Sequence, residues 1–82
     1  MQLVPITIEY LIHNNEYYIE SYGPNGLIES MIGVYKDDVK PLLRFDEVTY
    51  CNRTSTKRIG IIHKPEDISN KNKFYWKYYE FQ

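Results

Sequence analysis

Nucleophilic catalysis requires a nucleophile, a base and an orienting group in contact, and the sequence offers one cysteine-based set for it. That set is Cys51 with His63 and either Asp46 or Glu47. A lone cysteine near a strand end is more often a small core hydrophobe than a nucleophile. A chain of this length also has little room for a deep pocket that excludes water. We therefore expect no catalytic site.

The same kinds of side chain could in principle bind a metal ion. Zinc sites use four cysteine, histidine or carboxylate ligands, commonly in closely spaced pairs, whereas His13 and His63 are fifty residues apart and Cys51 is the single cysteine. Asp37-Asp38 is too short for a calcium loop, and residues 23–26 lack the lysine of a phosphate-binding loop. The sequence predicts no metal and no cofactor.

Charge is divided unevenly along the chain. Residues 1–50 carry three basic and eight acidic side chains, a net charge of −5, and residues 51–77 carry seven basic and two acidic ones, a net charge of +5. Basic side chains among aromatic rings are typical of single-strand nucleic-acid binders. The candidate residues for this function are Arg53, Lys57, Arg58, Lys71, Lys73, Tyr75, Lys77 and Tyr79. Alternatively, the two halves neutralise each other across the fold, and the overall net charge of −1 disfavours a dedicated nucleic-acid protein.

The composition predicts a single small all-β domain over residues 1–82. The chain contains no alanine, the best helix former, but it has nine tyrosines, three phenylalanines and one tryptophan, which fit pleated sheets. A mean hydropathy of −0.55 and the lack of a long apolar run predict no membrane span. Residues 1–5 do not resemble a signal peptide. Since one cysteine cannot form an internal disulfide, we expect a soluble, cytoplasmic protein.

Three alternating segments in the first half predict three antiparallel strands. Residues 6–12 and 16–22 alternate with period two around a turn at Asn14-Asn15, and residues 27–35 follow a second turn at residues 23–26. The third segment would also fit a helix, but the absence of alanine favours a strand.

The two turns fix a register, which predicts a core side that includes Tyr10 and Ile12 and an outer side with a row of Glu9, Glu20 and Glu29. Opposed like charges are destabilising, so this row needs a cation, a basic neighbour or a different register. Apolar rows flank it, which indicates that a partner or the rest of the chain covers this side. The residues predicted for this face are Glu9, Leu11, Tyr18, Glu20, Tyr22, Leu27, Glu29 and Met31.

The second half predicts three further strands. Residues 42–51 alternate but change phase near Asp46-Glu47, which indicates a β-bulge. Residues 57–64 and 74–81 are also strand-like, and residues 65–68 predict a short helical turn just before the last strand. This order resembles the SH3-like barrels in outline. The fold we predict is a small antiparallel barrel or sandwich of five or six strands.

Tyrosine and methionine on the outer face favour protein–protein recognition or self-association, since such residues are enriched at interfaces. The abundance of Ile, Lys, Asn and Tyr, which have AT-rich codons, suggests a low-GC bacterium or one of its phages. The primary hypothesis is a non-catalytic module, such as a phage or mobile-element accessory protein that docks on a host or defence protein and modulates or inhibits it. Nucleic-acid binding by the basic, aromatic segment is the alternative.

Overall fold

Six strands form one sheet in the computed structural model, which describes residues 2–51, 59–63 and 74–82. The strands are β1 (Leu3–Ile6), β2 (Glu16–Gly23), β3 (Gly26–Lys36), β4 (Leu43–Tyr50), β5 (Ile59–His63) and β6 (Tyr75–Phe81). One 3₁₀ turn, η1 (Ile8–Tyr10), follows β1. The all-β prediction is confirmed, and residues 27–35 lie in a strand. The helical turn expected at residues 65–68 lies outside the described residues.

The order of strands across the sheet is β1-β6-β2-β3-β4-β5, and every neighbouring pair is antiparallel. β6 therefore lies between β1 and β2, although three strands separate it from β2 along the chain. Across the part of the chain that the structure describes, β1 and β5 are the two edges and the sheet is not closed. No helix in these ranges is long and apolar enough to cross a membrane.

One side of the sheet holds the core. Its buried residues are Tyr17, Ile19, Met31, Tyr35, Leu43, Phe45, Val48 and Tyr78. Ile8 and Leu11 pack against this core from η1 and its end, because residues three apart share a face of a 3₁₀ turn. The backbone N–H of Ile12 donates to the Tyr17 hydroxyl at 2.8 Å, which ties the segment to the core.

The prediction of a strand over residues 6–12 is wrong. β1 ends at Ile6 and pairs with β6, so no hairpin forms between this segment and β2. The predicted core positions Tyr10 and Ile12 are 68% and 59% exposed. In this segment the apolar residues that pack against the core are three positions apart, as in a 3₁₀ turn. Over so short a segment the same sequence also fits the period-two pattern of a strand.

The hairpin of β2 and β3 forms at the predicted turn, but its predicted register holds only beside that turn. Tyr22 lies opposite Leu27, as a register that aligns Glu20 with Glu29 requires. A bulge at Ile28 then shifts the pairing so that Glu29 lies opposite Ser21. Because side chains alternate with period two, this shift of one residue exchanges the two faces of the rest of β3.

The bulge predicted in β4 is confirmed. The pairing of β4 with β5 shifts between Phe45 and Val48, and Glu47 has a φ of 52°. The extra residue lets Phe45 and Val48 both reach the core although their positions differ in parity.

Candidate functional site

The pairing of β2 with β6 brings six side chains together on the side of the sheet away from the core. The register places Tyr18 opposite Tyr79, Glu20 opposite Lys77, and Tyr22 opposite Tyr75. Their neighbours along each strand, such as Ile19 and Tyr78, are buried in the core, so the six must project from the opposite side. We define these six residues as the tyrosine face.

The rings of the tyrosine face are ordered in pairs. Tyr22 and Tyr75 stack with their centroids 5.0 Å apart and their planes 4° from parallel. Tyr18 and Tyr79 lie 5.6 Å apart in a tilted arrangement. Tyr75 is 39% exposed and the other three are half-buried. Such cross-strand aromatic pairs stabilise the sheet and fix the ring positions.

Opposite charges occupy the centre of the face. The Glu20 carboxylate accepts hydrogen bonds from the hydroxyls of Tyr22 at 2.9 Å and Tyr18 at 3.1 Å. The Lys77 ammonium lies 4.9 Å from the centroid of the Tyr22 ring. Within the described ranges, neither Glu20 nor Lys77 forms an ion pair. The Glu20 carboxylate and the Lys77 ammonium thus lie on neighbouring strands, and each contacts tyrosine.

The hydrogen bond to Glu20 raises the pKa of Tyr22 to about 12, because a phenolate there would face the carboxylate. Free tyrosine titrates near pH 10, so the bond stabilises the fold below about pH 10 and this contribution is lost as the pH rises to about 12. We expect one tyrosine to titrate near pH 12 in an ultraviolet absorbance titration, and to titrate closer to pH 10 in Glu20→Gln.

Tyr22→Phe is the matched control, because it should remove that late step from the titration altogether. Burial also raises the pKa of Tyr18 and Tyr79, so the assignment depends on this variant. An identical alkaline titration for wild type and Glu20→Gln would contradict the hydrogen bond.

The residues predicted for protein binding divide between this face and other parts of the fold. On the tyrosine face lie Tyr18, Glu20 and Tyr22. Leu27, which is 50% exposed, lies opposite Tyr22 at the hairpin end and extends it. Met31 is buried, Leu11 packs against the core, Glu9 is exposed on η1, and Glu29 lies opposite a serine. The predicted row of three carboxylates does not form, and Glu20 is its one member on this face.

The residues predicted for nucleic-acid binding also divide. On the same tyrosine face lie Tyr75, Lys77 and Tyr79. The remaining candidates lie outside the described residues, and these are Arg53, Lys57, Arg58, Lys71 and Lys73. Three of the eight residues of each predicted site thus meet on one surface. The sequence does not predict this meeting, because nothing local indicates that β6 pairs with β2.

The cysteine-based catalytic set is not assembled. The backbone of His63 pairs with Leu43 at one end of β4, whereas Cys51 follows the other end and its N–H donates to the Ser30 carbonyl at 2.8 Å. The intervening strand separates them by roughly 25 Å. Burial raises the pKa of the Cys51 thiol, which disfavours the nucleophilic thiolate. Among the described residues, no three histidine, cysteine or carboxylate side chains are grouped to hold a metal ion.

A cleft of about 470 Å³ adjoins the tyrosine face where β1 ends and η1 begins. Thr7, Ile8 and Glu9 form one wall, and Trp76 and Lys77 are on the other. Its volume is within the range of small-ligand pockets, and it could equally accept one large side chain of a protein partner.

Comparisons with known protein families, with characterised proteins and with solved structures found no match. We therefore infer the function from the geometry of the tyrosine face and its adjoining cleft.

Proposed function

We propose that this chain is a small, non-catalytic protein-binding module that docks on its partner through the tyrosine face. The observation that supports this is the set of four tyrosines projecting from the centre of the sheet, away from the core. Tyrosine combines a large apolar area with a hydroxyl and has few rotatable bonds. Because stacking and hydrogen bonds already order these rings, binding costs less side-chain entropy.

Apolar residues extend the surface at its margins. Pro5 lies opposite Tyr79, and Leu3, which is 42% exposed, lies opposite Phe81. At the other end is Leu27, also exposed. Apolar groups around a centre of tyrosine and paired charge are the usual composition of a recognition surface that excludes water on binding.

The composition suits an accessory protein of a phage or other mobile element, which would modulate or inhibit a host or defence protein. Such a role needs a surface for docking and no active site. The proposal also places the protein in the cytoplasm, where the free thiol of Cys51 stays reduced.

Photo-crosslinking at Tyr75 tests the proposal. With a benzoyl-phenylalanine at this position, we expect ultraviolet light to produce a discrete adduct with a protein in a lysate of the source cells. The control is the same substitution at Tyr10, which is 68% exposed but lies on η1 and not on the tyrosine face. A lack of protein adducts at Tyr75, or the same adducts at both positions, would count against the proposal.

Nucleic-acid binding remains a second candidate because Tyr75, Lys77 and Tyr79 share one face, as bases stacking along a strand would require. Glu20 at the centre of that face would repel phosphates, which favours the protein partner. Fluorescence anisotropy with random oligonucleotides at low and physiological salt separates the two. Micromolar binding that weakens steeply with salt would support the nucleic-acid function instead.

A further inference from the structure

The charges and rings of the tyrosine face are arranged in pairs across two neighbouring strands. The residue opposite each tyrosine is another tyrosine, and the residue opposite Glu20 is Lys77. Two copies could pack face to face about a two-fold axis that is parallel to the strands and lies midway between β2 and β6. Each residue on β2 of one copy would then lie against the β6 residue of the other copy that corresponds to its own cross-strand neighbour. The face is therefore complementary to itself.

We propose that the protein seated on the tyrosine face is a second copy of this chain, in a two-fold dimer that joins Glu20 of each copy to Lys77 of the other. This inference rests on the proposed protein-binding role of the tyrosine face and takes a second copy, in place of a host or defence protein, as the occupant of that face. The same rotation sets Tyr18 against Tyr79 and Tyr22 against Tyr75 of the other copy, so rings meet rings wherever charges do not. Two sheets packed face to face in nearly aligned directions are a common arrangement.

The opposite charges of Glu20 and Lys77 favour a second copy over a partner whose surface carries charges of only one sign. Glu20 and Lys77 make no ion pair within the described ranges, and a second copy would bring an opposite charge against each of them. A uniformly basic partner would meet Lys77 and a uniformly acidic partner would meet Glu20, and like charges at an interface are costly. A second copy presents one acidic and one basic side chain at the matching positions, so it provides an opposite charge for both Glu20 and Lys77.

Charge reversal tests the dimer by sedimentation equilibrium between about 1 µM and 1 mM. We expect wild type to dimerise, and Glu20→Lys and Lys77→Glu each to weaken dimerisation by about tenfold or more, because two attractive contacts become repulsive. An equimolar mixture of the two single variants should form a heterodimer, since their charges are then complementary. Lys40→Glu, which reverses an exposed charge in the turn between β3 and β4, is the control and should dimerise as wild type does.

The double variant Glu20→Lys/Lys77→Glu makes the test independent of how well the single variants fold, because it keeps one charge of each sign in the cross-strand pair. It should form dimers with itself but should not mix with isotopically labelled wild type in native mass spectrometry. A monomeric wild type, or a wild-type dimer that mixes freely with the double variant, would overturn the inference. If wild type is monomeric while Tyr75 crosslinks a different protein, the proposed function stands and only the second copy is excluded.

Discussion

Replacing Phe45 by alanine is expected to destabilise the fold by about 3–5 kcal/mol. Phe45 has no exposed surface, and its ring lies 5.5 Å from that of Tyr35 and 6.0 Å from that of Tyr78. Its loss would leave a cavity in the core between β4 and the rings that β3 and β6 contribute. Domains of this kind have about 5–15 kcal/mol of stability, so the variant should be close to unfolding.

Denaturant unfolding followed by circular dichroism measures this effect. Phe74→Ala is the matched control, because Phe74 is 67% exposed and its truncation should change the free energy of unfolding by less than about 1 kcal/mol. Equal losses for the two variants would mean that Phe45 is not at the centre of the core.

Replacing Gly33 by valine is expected to cost about 1–3 kcal/mol through overpacking. A Cβ atom at Gly33 would lie 3.1 Å from Val48 Cγ2 and 3.2 Å from Phe45 Cβ, closer than ordinary van der Waals contact. Both neighbours belong to the bulged part of β4, which approaches β3 closely because Gly33 has no side chain. Thermal unfolding of the variant should show a lower midpoint.

Gly60→Val on the edge strand β5 is the control for Gly33→Val. There the closest atom to an added Cβ is Asp46 Oδ1 at 3.2 Å, the end of a partly exposed side chain that pairs with Arg44 and does not belong to the core. We expect a smaller loss of stability, since a β-branched residue also suits a strand. A larger loss at Gly60 than at Gly33 would contradict the close approach of β3 and β4.

The sequence predicts strands well where one side chain in two must be buried. The phase change in residues 42–51 predicts the bulge near Asp46-Glu47, because an inserted residue there is visible as a change of parity between Phe45 and Val48. The alternation in residues 16–22 likewise places Tyr17 and Ile19 on one face of the strand, and both are buried. These are local features, and each is determined by the burial of one strand face.

Two local features of the fold could not be predicted from the alternation of apolar and polar residues. The bulge at Ile28 leaves no trace in a segment that is apolar on both faces, so Met31 was assigned to the outer side and is instead 2% exposed. Residues 6–12 alternate as a strand does, yet Ile8 and Leu11 use the three-residue spacing of a 3₁₀ turn. In both cases more than one backbone conformation satisfies the same hydrophobic pattern.

The tyrosine face itself depends on a contact that no local pattern contains. Tyr18, Glu20 and Tyr22 were predicted for one site and Tyr75, Lys77 and Tyr79 for another, and only the pairing of β2 with β6 merges them. Strand order is determined by the packing of the whole chain, because an amphipathic strand can pair equally well with several others.

The place of β6 between β1 and β2 also affects how the molecule reaches its native state. Each of these two pairings joins segments that are distant along the chain, so their loop-closure entropy is lost before the contacts form. Proteins dominated by such pairings fold in roughly milliseconds to seconds. Until β6 is inserted, β1 and β2 both have unpaired backbone edges, and the chain spends that interval with two sites for pairing with other molecules.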